Sequence, residues 1–404
     1  MVERAWVQRI GPEHIRPRLL NVIVYGPGEG EGILLVLPDG SLGVVDGCEE
    51  ENDPVAELVR ALPMAPIRFV CLTHPHDDHY AGLGNLINEN FARVERICFA
   101  SLVNTPHLLK WIEREKKLQE PEKKKVKGFK SLRQVIKRAT RTATGAPQIL
   151  RLVGRRPIYE EGGGTVEVRG CGPADDDLTM AEEGLSAKTG FDPNRSSAVV
   201  AVRFGTGGVL LTGDLVNNGA FERRGWLAAA LHIDFPIHVI KASHHASEEA
   251  HCLRFWQNRR PEVVLVTPFK NARPPSGSVG GMPPKQSDLI RLATHTPHLV
   301  VTSPPLWLTD EELDAAGLPA RAAIPHPDPL LPNAPTPAHQ HRYNAVLVAL
   351  DDQGVVHAIT LAGKSRFYGA DGLPQPLPTA PPVALGVTPA QGTPAQGNPA
   401  QGNP

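Results

Sequence analysis

The stretch that most constrains this chain runs over residues 69–82. Phe69, Val70, Cys71 and Leu72 form an apolar run of strand length, and just beyond it His74, His76, Asp77, Asp78 and His79 crowd three imidazoles and two carboxylates into six positions. A buried strand that ends this way delivers a polar cluster to one point in space. Imidazole nitrogen and carboxylate oxygen are the donors that hold zinc, manganese or iron at roughly 2.0 to 2.2 Å. A metal so held brings the pKa of bound water down toward about 7 and gives a nucleophile at neutral pH. His74 and His76 are spaced to chelate one ion, and Asp78 with His79 to reach a second.

Other apolar runs end in polar residues in the same manner. Val44 and Val45 lead into Asp46 and Gly47; Leu210 and Leu211 lead through Thr212 and Gly213 to Asp214; Val239 and Ile240 lead through Lys241, Ala242 and Ser243 to His244, His245, Ala246 and Ser247. With the His-x-His-x-Asp-His spacing of His74, His76, Asp78 and His79, this set resembles the metallo-β-lactamase-fold hydrolases. The wording of residues 239–247, with Asn194, Ser196 and Ser197 ahead of the Asp214 run, is most similar to the hydrolase domain of the competence DNA-uptake channel and its soluble relatives. The resemblance covers about residues 15–365. It implies an α/β fold, the αββα sandwich, with one or two divalent metal ions, zinc ahead of manganese.

The site residues follow from that resemblance. Metal ligands are expected among His74, His76, Asp78, His79, Asp214, His244 and His245. Neighbouring His244 and His245 do not easily bind one ion together, so one ligates while the other faces the substrate as a hydrogen-bond donor or proton source. Asp78, His244 and His245 are thus the catalytic candidates. Asp46 is expected beneath the site, orienting a ligand histidine, or else capping a turn. Asp77 orients a ligand or the attacking water, or caps a helix. Family members with a full dimetal site carry a further histidine after the strand corresponding to residues 166–170. Here Cys171 and Asp175 stand near that place as possible extra ligands, and the alternative for Cys171 is a small buried hydrophobe.

Composition narrows the class. A formal net charge of −1 hides an asymmetry: residues 110–156 carry sixteen Lys or Arg against four Glu, which leaves −13 for the rest. Within that segment Phe129, Leu132, Val135, Ile136 and Ala139 recur at helical spacing, with cations on the other faces. Placed between the first metal motif and the rest of the sandwich, it reads as a cationic cap in which Lys123, Lys124, Lys125, Lys130 and Arg133 meet phosphate groups; the competing reading is a solvated helix. No apolar run of about 18 residues exists to cross a membrane, residues 1–9 hold no apolar signal segment, and five scattered cysteines suit a reducing cytoplasm.

Short β-branched or leucine runs over 20–25, 32–37, 42–46, 67–72 and 94–100 read as strands, with helices over 54–62 and 82–88. Hairpins are expected over 157–170, turning at Gly162 to Gly164, and over 198–212. Residues 175–194 read as an acidic loop, 263–302 as a strand, helix and strand, and 343–361 as a closing hairpin. The domain reading is a hydrolase domain over 1–368, with a basic helical insertion at 101–156 and a Pro-rich loop at 304–341, and a disordered Pro/Ala/Gly/Gln tail over 369–404 that is open to a protein partner. His107, His326, His339 and His341 read as surface or loop residues. The function expected is a metal-dependent hydrolase of phosphodiesters, DNA or RNA among them. The alternatives are a carbonyl hydrolase acting on a lactone, thioester or β-lactam, and a scaffold protein of the same fold with reduced catalysis.

Overall fold

The computed structural model describes residues 2–377 apart from 27–29, 49–52, 101–122, 142–143, 162, 188–191, 218–224, 253–254, 257–258, 270–282, 306 and 319–342. Its strands in chain order are β1 (Glu3–Val7), β2 (Leu20–Tyr25), β3 (Gly32–Val36), β4 (Leu42–Val45), β5 (Gly47–Cys48), β6 (Ile67–Leu72), β7 (Arg96–Ala100), β8 (Gln148–Leu152), β9 (Pro157–Glu160), β10 (Val166–Gly172), β11 (Val199–Phe204), β12 (Gly207–Leu211), β13 (Val239–Lys241), β14 (Val263–Val266), β15 (His298–Val301), β16 (Ala345–Leu350), β17 (Val356–Ala362) and β18 (Arg366–Tyr368). The helices are α1 (Pro54–Ala61), α2 (Asp77–Tyr80), α3 (Leu83–Glu89), α4 (Lys123–Arg141), α5 (Asp175–Ala187), α6 (Gly225–Ala230), α7 (Gln286–Ala293) and α8 (Asp310–Ala315).

Two sheets form. One runs in the order β1-β17-β16-β2-β3-β4-β6-β7-β8, the other β18-β15-β14-β13-β12-β11-β10-β9. Side chains alternate across a strand, and the alternation decides the layers. On β2, Leu20, Val22 and Val24 face the second sheet while Ile23 and Tyr25 face outward; on β14, Val263 and Leu265 face the first sheet while Val264 and Val266 face outward. The inner faces make one core between the sheets, and each outer face is covered by helices, α1, α3 and α4 on the first sheet, α6 and α7 on the second. This is the expected αββα sandwich.

Each sheet is antiparallel in one part and parallel in another. The parallel runs are β4, β6, β7 and β8 in the first sheet and β12, β13, β14 and β15 in the second. Crevices beyond the carboxyl ends of parallel strands are where α/β sheets place their sites. Asp46 follows β4, the histidine cluster follows β6, Asp214 follows β12 and His244 follows β13.

Several sequence expectations change. The segment 101–156 is not a separate insertion: β8 within it is the edge strand of the first sheet, paired in parallel with β7. Helix α4 makes the crossover, burying Leu132, Val135, Ile136 and Ala139 in the outer core of that sheet. Gly84 of α3 lets α4 approach so closely that a Cβ there would stand 2.5 Å from the Leu132 backbone nitrogen. Residues 175–187, read as loop, form α5. Residues 307–318, read as loop, contain α8 and a small core of Leu308, Leu313, Ala316 and Leu318. The chain also stays in place past 368: Gln375 N–H donates to Phe367 O at 2.8 Å. The rest of the Pro-rich stretch and of the tail, the turn residue Gly162, and His107, His326, His339 and His341 lie outside the described residues. Among the described residues no helix is long and apolar enough to cross a membrane.

Candidate metal centre

Four side chains meet where the two parallel runs end. Asp78, His79, Asp214 and His245 each offer a ligand atom, all within 4.8 Å of one another. His79 Nε2 lies 3.5 Å from Asp214 Oδ2 and 3.8 Å from Asp78 Oδ2; His245 Nε2 lies 3.4 Å and 3.7 Å from the same oxygens. The backbone works to bring them there. Asp46 has φ +59, and His244, His245 and Ala246 have φ +46, +54 and +64, a left-handed conformation that costs a non-glycine residue roughly 1–2 kcal/mol. Gly213 (φ +48) precedes Asp214, and a Cβ there would stand 2.5 Å from Ser197 Oγ and 2.9 Å from Thr73 Cβ, so the two sheets close together only over a glycine.

The far nitrogen of each buried histidine is committed to an acceptor. Asp46 Oδ2 accepts from His79 Nδ1 at 2.7 Å, and the Thr267 carbonyl accepts from His245 Nδ1 at 2.7 Å. His74 Nδ1 has the hydroxyls of Thr73 at 3.0 Å and Ser197 at 3.3 Å; the Thr73 hydroxyl donates onward to Asp46 Oδ2, leaving its lone pairs for His74. Each ring therefore turns Nε2 into the cluster. His74 Nε2 is 3.0 Å from His76 Nδ1 and 4.0 Å from Asp214 Oδ2, so this pair stands beside the group on its other flank.

Charge and burial point the same way. Burial alone would push the Asp214 carboxyl up, but His245 and His79 hold it well below the usual range. Asp78 is likewise lowered, His79 and the His245 hydrogen bond outweighing burial. Burial disfavours the His245 cation, yet Asp214 raises its pKa to about 9, and Asp214, Asp78 and Asp46 raise His79 well above the ordinary imidazole value. His74 goes the other way, lowered by burial and by His79 and His76. Protons on His79 and His245 thus sit where a divalent cation would balance the same carboxylates. His79 Nε2 is buried without a hydrogen-bond partner, and Asp214 presents Oδ2 to it and to His245 while Oδ1 faces Lys241 Nζ at 3.6 Å. Two imidazoles and two carboxylates with open donor atoms fit such an ion.

The remaining candidates are placed as follows. His244 stands outside the four-residue group, its Nδ1 2.9 Å from Ser247 Oγ and its Nε2 3.0 Å from Asn194 Nδ2. Asp46 is fully buried and also accepts from Thr73 N–H at 2.7 Å. Asp77 opens α2, half-exposed and outside the group, and the helix cap is His76 instead. Neither proposed extra ligand arrives. Strand alternation from the inward Val166 and Val168 puts Cys171 in the outer core with Trp226 and Ala229, where burial raises its thiol to about 12. Asp175 is exposed at the start of α5. Arg133 is exposed on α4, and the side chains of Lys123, Lys124, Lys125 and Lys130 lie outside the described residues. The sequence reading missed Glu31 and gave Lys241 no role, although both are fully buried at this site. For Glu31 the only signal was its place, with Glu29, among glycines directly before an apolar run.

Comparison with known proteins gives one family. A family model described as the metallo-beta-lactamase superfamily matches residues 33–266, more than half of the chain. No curated protein matches. Among solved structures, a Cronobacter sakazakii metallo-beta-lactamase HARLDQ-motif mutant aligns at 14% identity over 50% of this chain and 64% of its own, less than two thirds of its length, with a TM-score of 0.26. The metallo-beta-lactamase fold protein YhfI from Bacillus subtilis aligns at 12% identity, 63% of this chain and 88% of its own, TM-score 0.34. The short form of human tRNase Z aligns at 14% identity, 62% and 93%, TM-score 0.33.

Proposed function

Because the chain belongs to the metallo-β-lactamase superfamily, we propose that it is a metal-dependent hydrolase of phosphodiesters, with DNA or RNA among its substrates. The observation that carries the reading is the convergence of Asp78, His79, Asp214 and His245 at the ends of two parallel strand runs. These four would hold a divalent cation, zinc or manganese, and His74 and His76 would help hold a second beside Asp214. When bound, such a cation supplies Lewis acidity and makes water nucleophilic at neutral pH.

The chain's own residues do the rest. Asp46 and Thr267 fix the rings of His79 and His245 through Nδ1. Asp214 is anchored through its N–H, which donates to Ser197 Oγ at 3.0 Å, and turns Oδ2 to the histidines. His244 is half-buried, and burial holds its pKa below the ordinary imidazole value. At neutral pH it is a neutral hydrogen-bonding ring, steadied by Asn194 and Ser247, and it is the ring we assign to the leaving oxygen. Two features support phosphate over a carbonyl substrate. The positive surplus of residues 110–156 belongs partly to α4, which packs directly on α2 and α3, and the wording of residues 239–247 resembles a DNA-processing hydrolase.

The test is hydrolysis of bis(p-nitrophenyl) phosphate and of single- and double-stranded DNA and RNA by protein reconstituted with zinc or manganese, with Asp214→Ala as the blank. Turnover lost in the variant is expected. Bound metal without phosphodiester turnover, together with hydrolysis of a lactone or thioester, would overturn the substrate assignment.

A further inference from the structure

Glu31 and Lys241 are fully buried and pair with each other inside the protein. A buried ammonium is tolerated only when its protons find acceptors, and Lys241 finds three oxygens. Besides Glu31 Oε2, its Nζ donates to the Gly213 carbonyl at 3.1 Å and lies 3.6 Å from Asp214 Oδ1. Lys241 therefore draws one carboxylate oxygen of Asp214 inward and leaves Oδ2 for His79 and His245.

Glu31 reaches the other members of the group. Its Oε2 also accepts from Thr267 Oγ1 at 2.8 Å, and the carbonyl of that threonine accepts from His245 Nδ1. Its own N–H donates to Asp78 O at 3.0 Å. Gly30, with φ +85, permits this approach, since a Cβ there would stand 2.5 Å from that same oxygen. Glu31 Oε1 is 4.0 Å from His79 Nδ1. The ion pair thus borders Asp78, His79, Asp214 and His245, directly or through one intervening group.

We propose that the Glu31–Lys241 pair positions the four side chains of the metal group, an inference that rests on reading those four as ligands. It also accounts for the second acidic cluster of Glu31, Asp46 and His79. There Lys241 supplies the cation, while Asp46 is occupied by Thr73 and His79. That cluster is a support for the first and not another metal site.

The experiment uses the full chain and four variants: Lys241→Met, Glu31→Gln, the double variant, and Lys241→Arg. Zinc affinity is read by competition with a chromophoric chelator, ligand geometry by the visible absorption of the cobalt-loaded protein, and folding by circular dichroism melts without metal. Each single neutral variant is expected to bind zinc roughly 10- to 100-fold more weakly, the range seen when groups that orient ligands are removed. The double variant leaves no buried charge unpaired, so it should melt near the wild type while keeping the weak affinity and an altered cobalt spectrum. A folded double variant with wild-type affinity and spectrum overturns the proposal and leaves the metal reading intact. Should the neutral variants fail to fold, Lys241→Arg decides: a shifted cobalt spectrum is expected, and an unchanged one overturns it. Wild-type protein that binds neither ion overturns the metal reading and the proposal with it.

Discussion

Replacing Asp46 by asparagine tests the site's wiring with the least disturbance. The side chain keeps its shape, and asparagine is among the few residues that accept φ +59 readily. The native carboxylate accepts three bonds, from Thr73 N–H at 2.7 Å, Thr73 Oγ1 at 2.6 Å and His79 Nδ1 at 2.7 Å. The backbone N–H can only donate, so the amide oxygen must face it, which turns the amide NH2 toward the threonine hydroxyl and His79. The hydroxyl can rotate. The imidazole cannot, and it must surrender its Nδ1 proton and carry one on Nε2, the atom 3.5 Å from Asp214 Oδ2 that would bind metal. Restoring the ligand form breaks that amide–imidazole hydrogen bond and leaves two buried donors facing each other, a penalty of roughly 1–3 kcal/mol. At about 1.4 kcal/mol per tenfold, zinc affinity should fall roughly 5- to 150-fold. Metal-free stability should change little, because burial already raises the Asp46 pKa and a neutral amide escapes that desolvation cost. Chelator competition reads the first quantity and a thermal melt the second. Asp46→Asn protein that binds zinc as tightly as the wild type would refute the argument that Asp46 sets the His79 tautomer.

The other predictions concern pH, packing and the paired histidines. His245 and His79 hold protons in the metal-free protein, with the His245 pKa raised to about 9 by Asp214 against burial, so ligation must release them. Zinc affinity should therefore rise with pH up to about 9, and calorimetry in buffers of different ionisation enthalpy should count at least one proton released at pH 7. Leu132→Ala should cost about 2–5 kcal/mol in denaturant melts, because that side chain sits in the contact of α4 with α3 and the first sheet; a loss below about 0.5 kcal/mol would mean that α4 is a detachable cap. His251 is lowered to about 4 by burial and by the nearby Arg291 and His295. A depressed histidine pKa leaves stability intact above the unfolded value near 6.5 and removes it as pH falls toward about 4. His251→Phe, which keeps a ring against Trp256 and His295, should flatten that slope. His245→Ala should lose zinc, while His244→Ala should keep it and lose about 10²- to 10⁴-fold in turnover; equal metal loss in both would show that His244 is also a ligand.

What the sequence disclosed and what it hid divide along one physical line. The αββα sandwich was legible through the family resemblance that His74, His76, Asp78 and His79 carry, and its strands through short apolar runs such as residues 20–25, which are buried on both faces. The candidate site was legible where candidate ligands stand together after an apolar run, as His74 to His79 do, or at a strand's end, as Asp214 does. Helix α5 was missed because its acidic opening looks like loop, yet Asp175, Asp176 and Asp177 at a helix N-terminus oppose the macrodipole favourably, and Asp177 reaches across to accept from Gly225 N–H at 2.9 Å. Helix α8 carried a capping box, Thr309 with Glu312, masked by the prolines around it. Cys171 followed its alternative reading: Val166 and Val168 face the inner core, so alternation alone turns Cys171 outward among Trp226 and Ala229 as a small buried hydrophobe. Glu31 and Lys241 mark the limit of local reading. Glu31 stands with Glu29 among glycines and Lys241 ends a short apolar run, and alone each reads as an exposed side chain at a strand end. Only their pairing makes burial affordable, and the pairing is a property of the two sheets together: Glu31 directly precedes β3 in one, Lys241 ends β13 in the other, and the contact exists only once the sandwich has closed over the site it supports.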